Sequence, residues 1–208
     1  MKSLITGFSP FGGEVRNPSI DAVRMLPDTV RYSGGEIQIY KAEIPTVFGH
    51  AGDALCERLE KICPDIVICV GQAGGREGIS IEKVAINYIF ASHPDNEGNK
   101  PEGVPVVSRA PDAYFSTLPV LEIESALLER GFSAKISYSA GTYVCNDLFY
   151  TLMHVTAGRG ISAGFIHVPY STEQAGERRV PSMPTAKISE ALEIALSVSA
   201  EYLGACRK

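Results

Sequence analysis

The unbroken apolar run Ile66-Val67-Ile68-Cys69-Val70 constrains the fold more than any other segment. It shows no alternation of polar and apolar residues, so both its faces must be buried. That is the pattern of a strand inside a parallel sheet covered by helices. A membrane span needs roughly 20 apolar residues, and this run is far shorter. Pro64 precedes it, and Gly71-Gln72-Ala73-Gly74-Gly75-Arg76 breaks it.

Around this run, strand and helix patterns alternate. Lys2 to Gly7 reads as a strand followed by a glycine-rich loop, and Asn17-Pro18 opens a helix to about Leu26, with Asn17 as N-cap. Glu36 to Ile44 is a strand. Thr46 is expected to cap a helix that carries Phe48, Ala51, Leu55, Leu59 and Ile62 on one face. Ile81 to Tyr88 reads as a further strand, and residues 92 to 117, rich in Pro, Asn, Asp and Gly, as irregular. A structureless stretch of that length in a compact domain usually serves function. Helices are expected over Pro119 to Arg130, Cys145 to about Ala157 and Lys187 to Leu203, with strands at Ala134 to Ser139 and Gly164 to Val168. The class is therefore α/β: one domain over residues 1–208, one sheet, helices on both faces.

With 208 residues, 45% of them hydrophobic, the chain can bury a core without staples. The net charge of −5 argues against a nucleic-acid partner. Met1 to Ile5 runs straight into Thr6-Gly7, without the apolar stretch of a leader, and no segment is of membrane length. Cys56, Cys63, Cys69, Cys145 and Cys206 make an odd, widely spaced set with no CxxC pair. They indicate neither a disulfide framework nor zinc, and fit reduced thiols in a cytoplasmic protein.

Ligands of such folds bind at the carboxyl ends of the strands. There the chain places Ser139-Ala140-Gly141-Thr142-Tyr143-Val144-Cys145-Asn146, a small-residue turn leading into a helix with Cys145 in its first turn. The helix dipole and unpaired N–H groups would favour a thiolate and could hold an oxyanion. A thiol at a helix start can equally be a packing residue. A nucleophilic Cys needs an imidazole. His154 is mid-helix, His50 lies on a solvated helix and His93 in the irregular segment. His167 ends an apolar strand and is the better base, though a core histidine bonded to backbone would look the same. Glu82, a carboxylate among apolar neighbours, is the candidate orienting acceptor; as an exposed strand charge beside Lys83 it would do little. Residues alone leave Cys145, His167 and Glu82 a plausible triad beside these packing alternatives.

Four blocks carry a resemblance. They are Thr6-Gly7-Phe8-Ser9-Pro10-Phe11-Gly12-Gly13 with Asn17-Pro18-Ser19; Gly71 to Arg76 through Glu82 to Asn87; Ser139 to Asn146; and Phe165-Ile166-His167-Val168-Pro169-Tyr170. In this order, over nearly the whole length, the chain resembles the pyroglutamyl peptidase I family. The resemblance implies a cysteine peptidase removing N-terminal pyroglutamate from peptides, with Cys145 as nucleophile, His167 as base and Glu82 as carboxylate. It also implies a three-layer α/β/α domain of the phosphorylase/hydrolase-like type with a mixed sheet, no metal or organic cofactor, a cytoplasmic location and a homotetramer. The pyrrolidone pocket carries over to Phe8 and Phe11, with Thr46, Gln72, Tyr143 and Val144 as further wall. Two departures stand out: Ser92-His93 replaces the Arg-Ile common before Pro94-Asp95-Asn96-Glu97-Gly98, and Tyr143 replaces a common Phe. Rival readings are a nucleoside-phosphorylase-like enzyme, which would use the glycine loops for phosphate, and a non-catalytic ligand-binding protein with a reactive thiol.

Overall fold

The computed structural model describes residues 1–206. Its elements in chain order are β1 (Lys2–Phe8), α1 (Pro18–Met25), β2 (Thr29–Tyr32), β3 (Gly35–Ile44), α2 (His50–Ile62), β4 (Ile66–Gln72), β5 (Ile79–Glu82), β6 (Val84–Ile86) and β7 (Ile89–Phe90). There follow β8 (Glu102–Val104), β9 (Ala113–Phe115), α3 (Val120–Glu129), β10 (Ala134–Ser137), α4 (Val144–Thr156) and β11 (Ser162–Val168). The last are β12 (Tyr170–Ser171), α5 (Thr172–Ala175), β13 (Ser182–Met183) and α6 (Thr185–Cys206).

Seven strands form one sheet in the order β10-β5-β11-β4-β1-β3-β2. The inner strands β11, β4, β1 and β3 are parallel, while β5 runs antiparallel to β11 and β2 antiparallel to β3. The sheet is thus mixed. The apolar run is its centre: Ile66, Ile68 and Val70 pack beneath α1, α3 and α6, and Val67 and Cys69 face α2 and α4. Burial on both faces is why it carries no polar alternation. Asn17 caps α1 by accepting from Ser19 N at 3.1 Å, with Pro18 at the first helical position, as the sequence predicts. A Cβ on Gly7 would stand 2.5 Å from the Ile20 backbone, so only glycine lets α1 lie this close to β1.

Several expectations need correction. Thr46 does not cap α2, which begins at His50 after Gly49; its hydroxyl donates to Ser9 O at 2.9 Å instead. Residues 29–32, unassigned by periodicity, form the edge strand β2, where only Val30 is buried. Ile81 to Tyr88 is not one strand: the chain leaves the main sheet at Lys83, so β6 and β7 pair with β9 and β8 instead. The irregular segment therefore contains two strands of three residues each, mostly exposed and too short to show a period.

Candidate active site

The sheet assembles the site by register. β5 pairs with β11 so that Phe165 faces Glu82, which puts Glu82 diagonal to His167 on the same face. On the other side of β11, His167 faces Gly71 of β4. That face is the one α4 covers, and α4 delivers Cys145 in its first turn. A Cβ on Gly71 would lie 2.9 Å from Cys145 Sγ, so the thiol occupies the space a side chain next to His167 would need. Carboxylate, imidazole and thiol thus follow one another across the sheet.

Glu82 is fully buried, which removes the alternative of an exposed strand charge beside Lys83. Its Oε1 lies 2.7 Å from His167 Nδ1. The same oxygen accepts from Arg76 Nη1 at 2.6 Å. Burial raises the Glu82 carboxyl, but the hydrogen bonds and charges of His167, Ser137 and Arg76 outweigh it and hold the group below the usual carboxylate range. Burial pushes His167 below the ordinary imidazole value; Glu82 pulls it up, and Arg76 pushes it down. Burial, together with the Glu82 charge, pushes the Cys145 thiol up to about 12.

That direction corrects the expected helix-favoured thiolate. A helix start contributes about 0.3–2 kcal/mol, or up to roughly 1.5 pH units. Desolvation and a nearby carboxylate exceed it here. The resting site is thiol, neutral imidazole and carboxylate. The N–H groups of Asn146 and Asp147 are already taken by Tyr143 O, at 3.0 and 3.1 Å. Asn146, fully buried, bonds Ile86 N at 3.0 Å and Ile86 O at 2.8 Å, tying the start of α4 to β6.

Cys145 and His167 open into one cavity of about 220 Å³. Phe8, Phe11, Thr46, Gln72 and Tyr143 line it, as do Asn17, Ala73 and Arg76. Phe8 is nearly buried and tilts against Phe165, with ring centroids 6.4 Å apart. Gln72 Oε1 accepts from Gln174 Nε2 at 3.2 Å. The Tyr143 hydroxyl donates to Pro94 O at 3.0 Å, while His93 tilts against its ring with centroids 4.6 Å apart and Phe48 meets it edge-on. Val144 is not part of the wall: its side chain is fully buried in the core under α4. The other histidines stand apart, His154 bonded to the Tyr114 hydroxyl and His50 exposed beside Glu97.

Sequence reasoning missed Arg76, Asp95 and Asp147. Asp95 Oδ2 accepts from Phe48 N at 2.9 Å, and Asp147 Oδ2 accepts from Gly49 N at 3.1 Å, so two carboxylates pin the loop that carries Thr46. Phe48 and Gly49 lie 47 and 98 residues from these carboxylates, which no local pattern reveals, although Asp95 also accepts from the nearby Glu97 N and Asn99 N at 2.9 Å.

Comparison with known proteins gives a consistent picture. A family model described as pyroglutamyl peptidase matches residues 1–202. The pyrrolidone-carboxylate peptidase of Thermococcus onnurineus is 47% identical over 201 residues, covering 96% of this chain and 98% of that protein. That of Enterococcus faecalis is 49% identical over 176 residues, covering 84% and 81%. The crystal structure of Bacillus amyloliquefaciens pyroglutamyl peptidase I superposes with a TM-score of 0.92 at 44% identity, covering 97% of this chain and 98% of that one. A variant pyrrolidone carboxyl peptidase from Pyrococcus furiosus gives 0.91 at 46%, covering 98% and 100%.

Proposed function

The chain belongs to the pyroglutamyl peptidase family, and on that premise we propose that it removes N-terminal pyroglutamate from peptides with Cys145 as nucleophile, His167 as general base and Glu82 as orienting carboxylate. The observation that carries this reading is the register row in which buried Glu82 bonds His167 while Cys145 Sγ fills the space over Gly71, with Cys145 and His167 opening into one cavity. With Nδ1 directed to Glu82, His167 keeps Nε2 for the thiol. Nε2 takes the thiol proton as sulfur attacks the pyroglutamyl carbonyl. The N–H groups of Val144 and Cys145, in the first turn of α4 and so without intrahelical acceptors, are the donors available to the developing oxyanion. The imidazolium then protonates the leaving amine, the peptide departs, and a thioester remains. Water, deprotonated by the same imidazole, hydrolyses it.

The pocket suits this substrate. Pyroglutamate is a flat, uncharged lactam without an ammonium, and a cavity of about 220 Å³ admits one such ring and little more. Phe8 and Phe11 supply apolar faces, Tyr143 a third, and Thr46 and Gln72 polar atoms beside them. A prolyl group lacks the ring carbonyl and brings a charge with no carboxylate to receive it. A site that reads hydrogen bonds rejects such an analogue by roughly 10⁴-fold. A cytoplasmic location and a homotetrameric assembly belong to the same proposal; five unpaired cysteines support the former, and light scattering on the purified protein tests the latter. Among the described residues no helix is long and apolar enough to cross a membrane.

The test is turnover of pyroglutamyl, prolyl and glutamyl amides by the wild type and Phe11→Ala. The proposal expects hydrolysis of the pyroglutamyl amide alone, with KM raised in Phe11→Ala. Comparable turnover of the prolyl amide contradicts it.

A further inference from the structure

The site contains a fully buried carboxylate, Glu82, bonded to His167 Nδ1 at 2.7 Å. Glu82 has no solvent exposure, and an ionised carboxylate there needs a counter-charge. With His167 neutral, Arg76 is the cation in contact with it. Nη1 of Arg76 donates to Glu82 Oε1 at 2.6 Å, the atom that also meets His167 Nδ1. Nη2 donates to Ser139 O at 3.1 Å, at the head of the turn that leads to Cys145. Nη1 also approaches Ser137 Oγ at 3.4 Å. The guanidinium is itself mostly shielded, with a quarter of its side chain exposed, 25%. Its backbone N–H bonds Ala73 O at 3.3 Å, closing the turn after β4.

We propose that Arg76 is a positioning residue of this site, its guanidinium forking between Glu82 Oε1 and Ser139 O so that carboxylate, imidazole and nucleophile loop are held in one arrangement. The inference rests on the triad reading above. A planar fork can reach both acceptors at once, which a lysine ammonium does less well. Its charge also bears on the proton inventory. The titratable and charged groups around His167 are Glu82 from β5, Arg76 from the loop after β4 and, in the same cavity, Cys145 from α4. Arg76 is the cation among them. Without it, Glu82 and His167 hold their shared proton to higher pH, and while that proton is held Nε2 of His167 cannot accept one from the thiol.

The experiment is the pH dependence of kcat/KM for a pyroglutamyl amide in the wild type, Arg76→Gln, Arg76→Lys and His167→Ala. Losing the cation raises the values of both His167 and Glu82, so the acidic limb of Arg76→Gln moves up by about one pH unit. In Arg76→Lys the limb stays near the wild-type position, while kcat falls about tenfold or more because one ammonium cannot fork. KM changes little in both. An unmoved limb in Arg76→Gln overturns the proposal, as does a rise confined to KM, which would make Arg76 a substrate contact. Should Arg76→Gln fail to fold, wild-type kcat in Arg76→Lys overturns it alone. His167→Ala separates the two failures: an active His167→Ala defeats the triad reading, whereas an inactive one beside an unshifted Arg76→Gln defeats only the role of Arg76.

Discussion

Gly71 and Cys145 share one space: a Cβ on Gly71 would lie 2.9 Å from Cys145 Sγ and 2.8 Å from the Phe165 ring. The strand leaves a gap beside His167, and the helix fills it with sulfur. Gly71→Ala must therefore displace either the thiol or the ring. Overpacking of this kind costs about 1–3 kcal/mol of stability. A displacement of roughly an ångström at the reacting atom lowers kcat/KM about 100-fold. Thermal unfolding and steady-state kinetics of Gly71→Ala check both; a folded variant with wild-type kcat would show that the thiol does not need this position.

The protonation states set the pH behaviour. Activity requires His167 neutral and Glu82 ionised, and both are held below their ordinary values. The acidic limb of kcat/KM should accordingly lie below the ordinary imidazole value of about 6.5. Cys145 is pushed up to about 12, so the free enzyme holds a thiol rather than a thiolate. Alkylation by iodoacetamide should be slow at neutral pH and climb steadily into the alkaline range. Fast, pH-independent alkylation down to about pH 5 would reveal a preformed thiolate–imidazolium pair.

Asp147 makes a separate linkage. Burial raises its carboxyl to about 6, although Gly49 N donates to it. The folded state thus binds this proton more tightly than the unfolded chain does, where the value is about 3.9. The resulting destabilisation is absent below about pH 4, grows as pH rises to about 6, and is complete above that. Asp147→Asn keeps an oxygen for Gly49 N and loses the charge. It should stabilise the protein by about 2 kcal/mol near pH 8 and by little near pH 4. Denaturant unfolding at the two pH values decides; a less stable variant at the higher one would mean the carboxylate is needed.

Much of this was legible in the chain. Ile66 to Val70 announced a doubly buried central strand, and Asn17-Pro18 announced a helix start, because burial and capping act over a few adjacent residues. Cys145, His167 and Glu82 were visible as polar groups at the ends of apolar strands or at a helix start. The antiparallel pairing of β5 with β11, which brings Glu82 to His167, left no local trace. Nor did the fork of Arg76, the staples at Asp95 and Asp147, or the burial that reverses the expected shift at Cys145. Those depend on what lies across the fold. Val144 illustrates the limit: adjacent in sequence to two cavity residues, it turns into the core because successive helix positions face different ways.

The proposed catalysis turns on the covalent bond between Cys145 and the pyroglutamyl carbonyl. Acid-quenching the enzyme during turnover of a pyroglutamyl ester, followed by proteolysis and mass mapping, looks for that bond directly. The expected result is a pyroglutamyl thioester on the peptide containing Cys145, its absence in Cys145→Ala, and a loss of kcat in that variant of about 10⁴-fold or more. An adduct on another residue, or Cys145→Ala turning over at more than a small fraction of the wild-type rate, would contradict it.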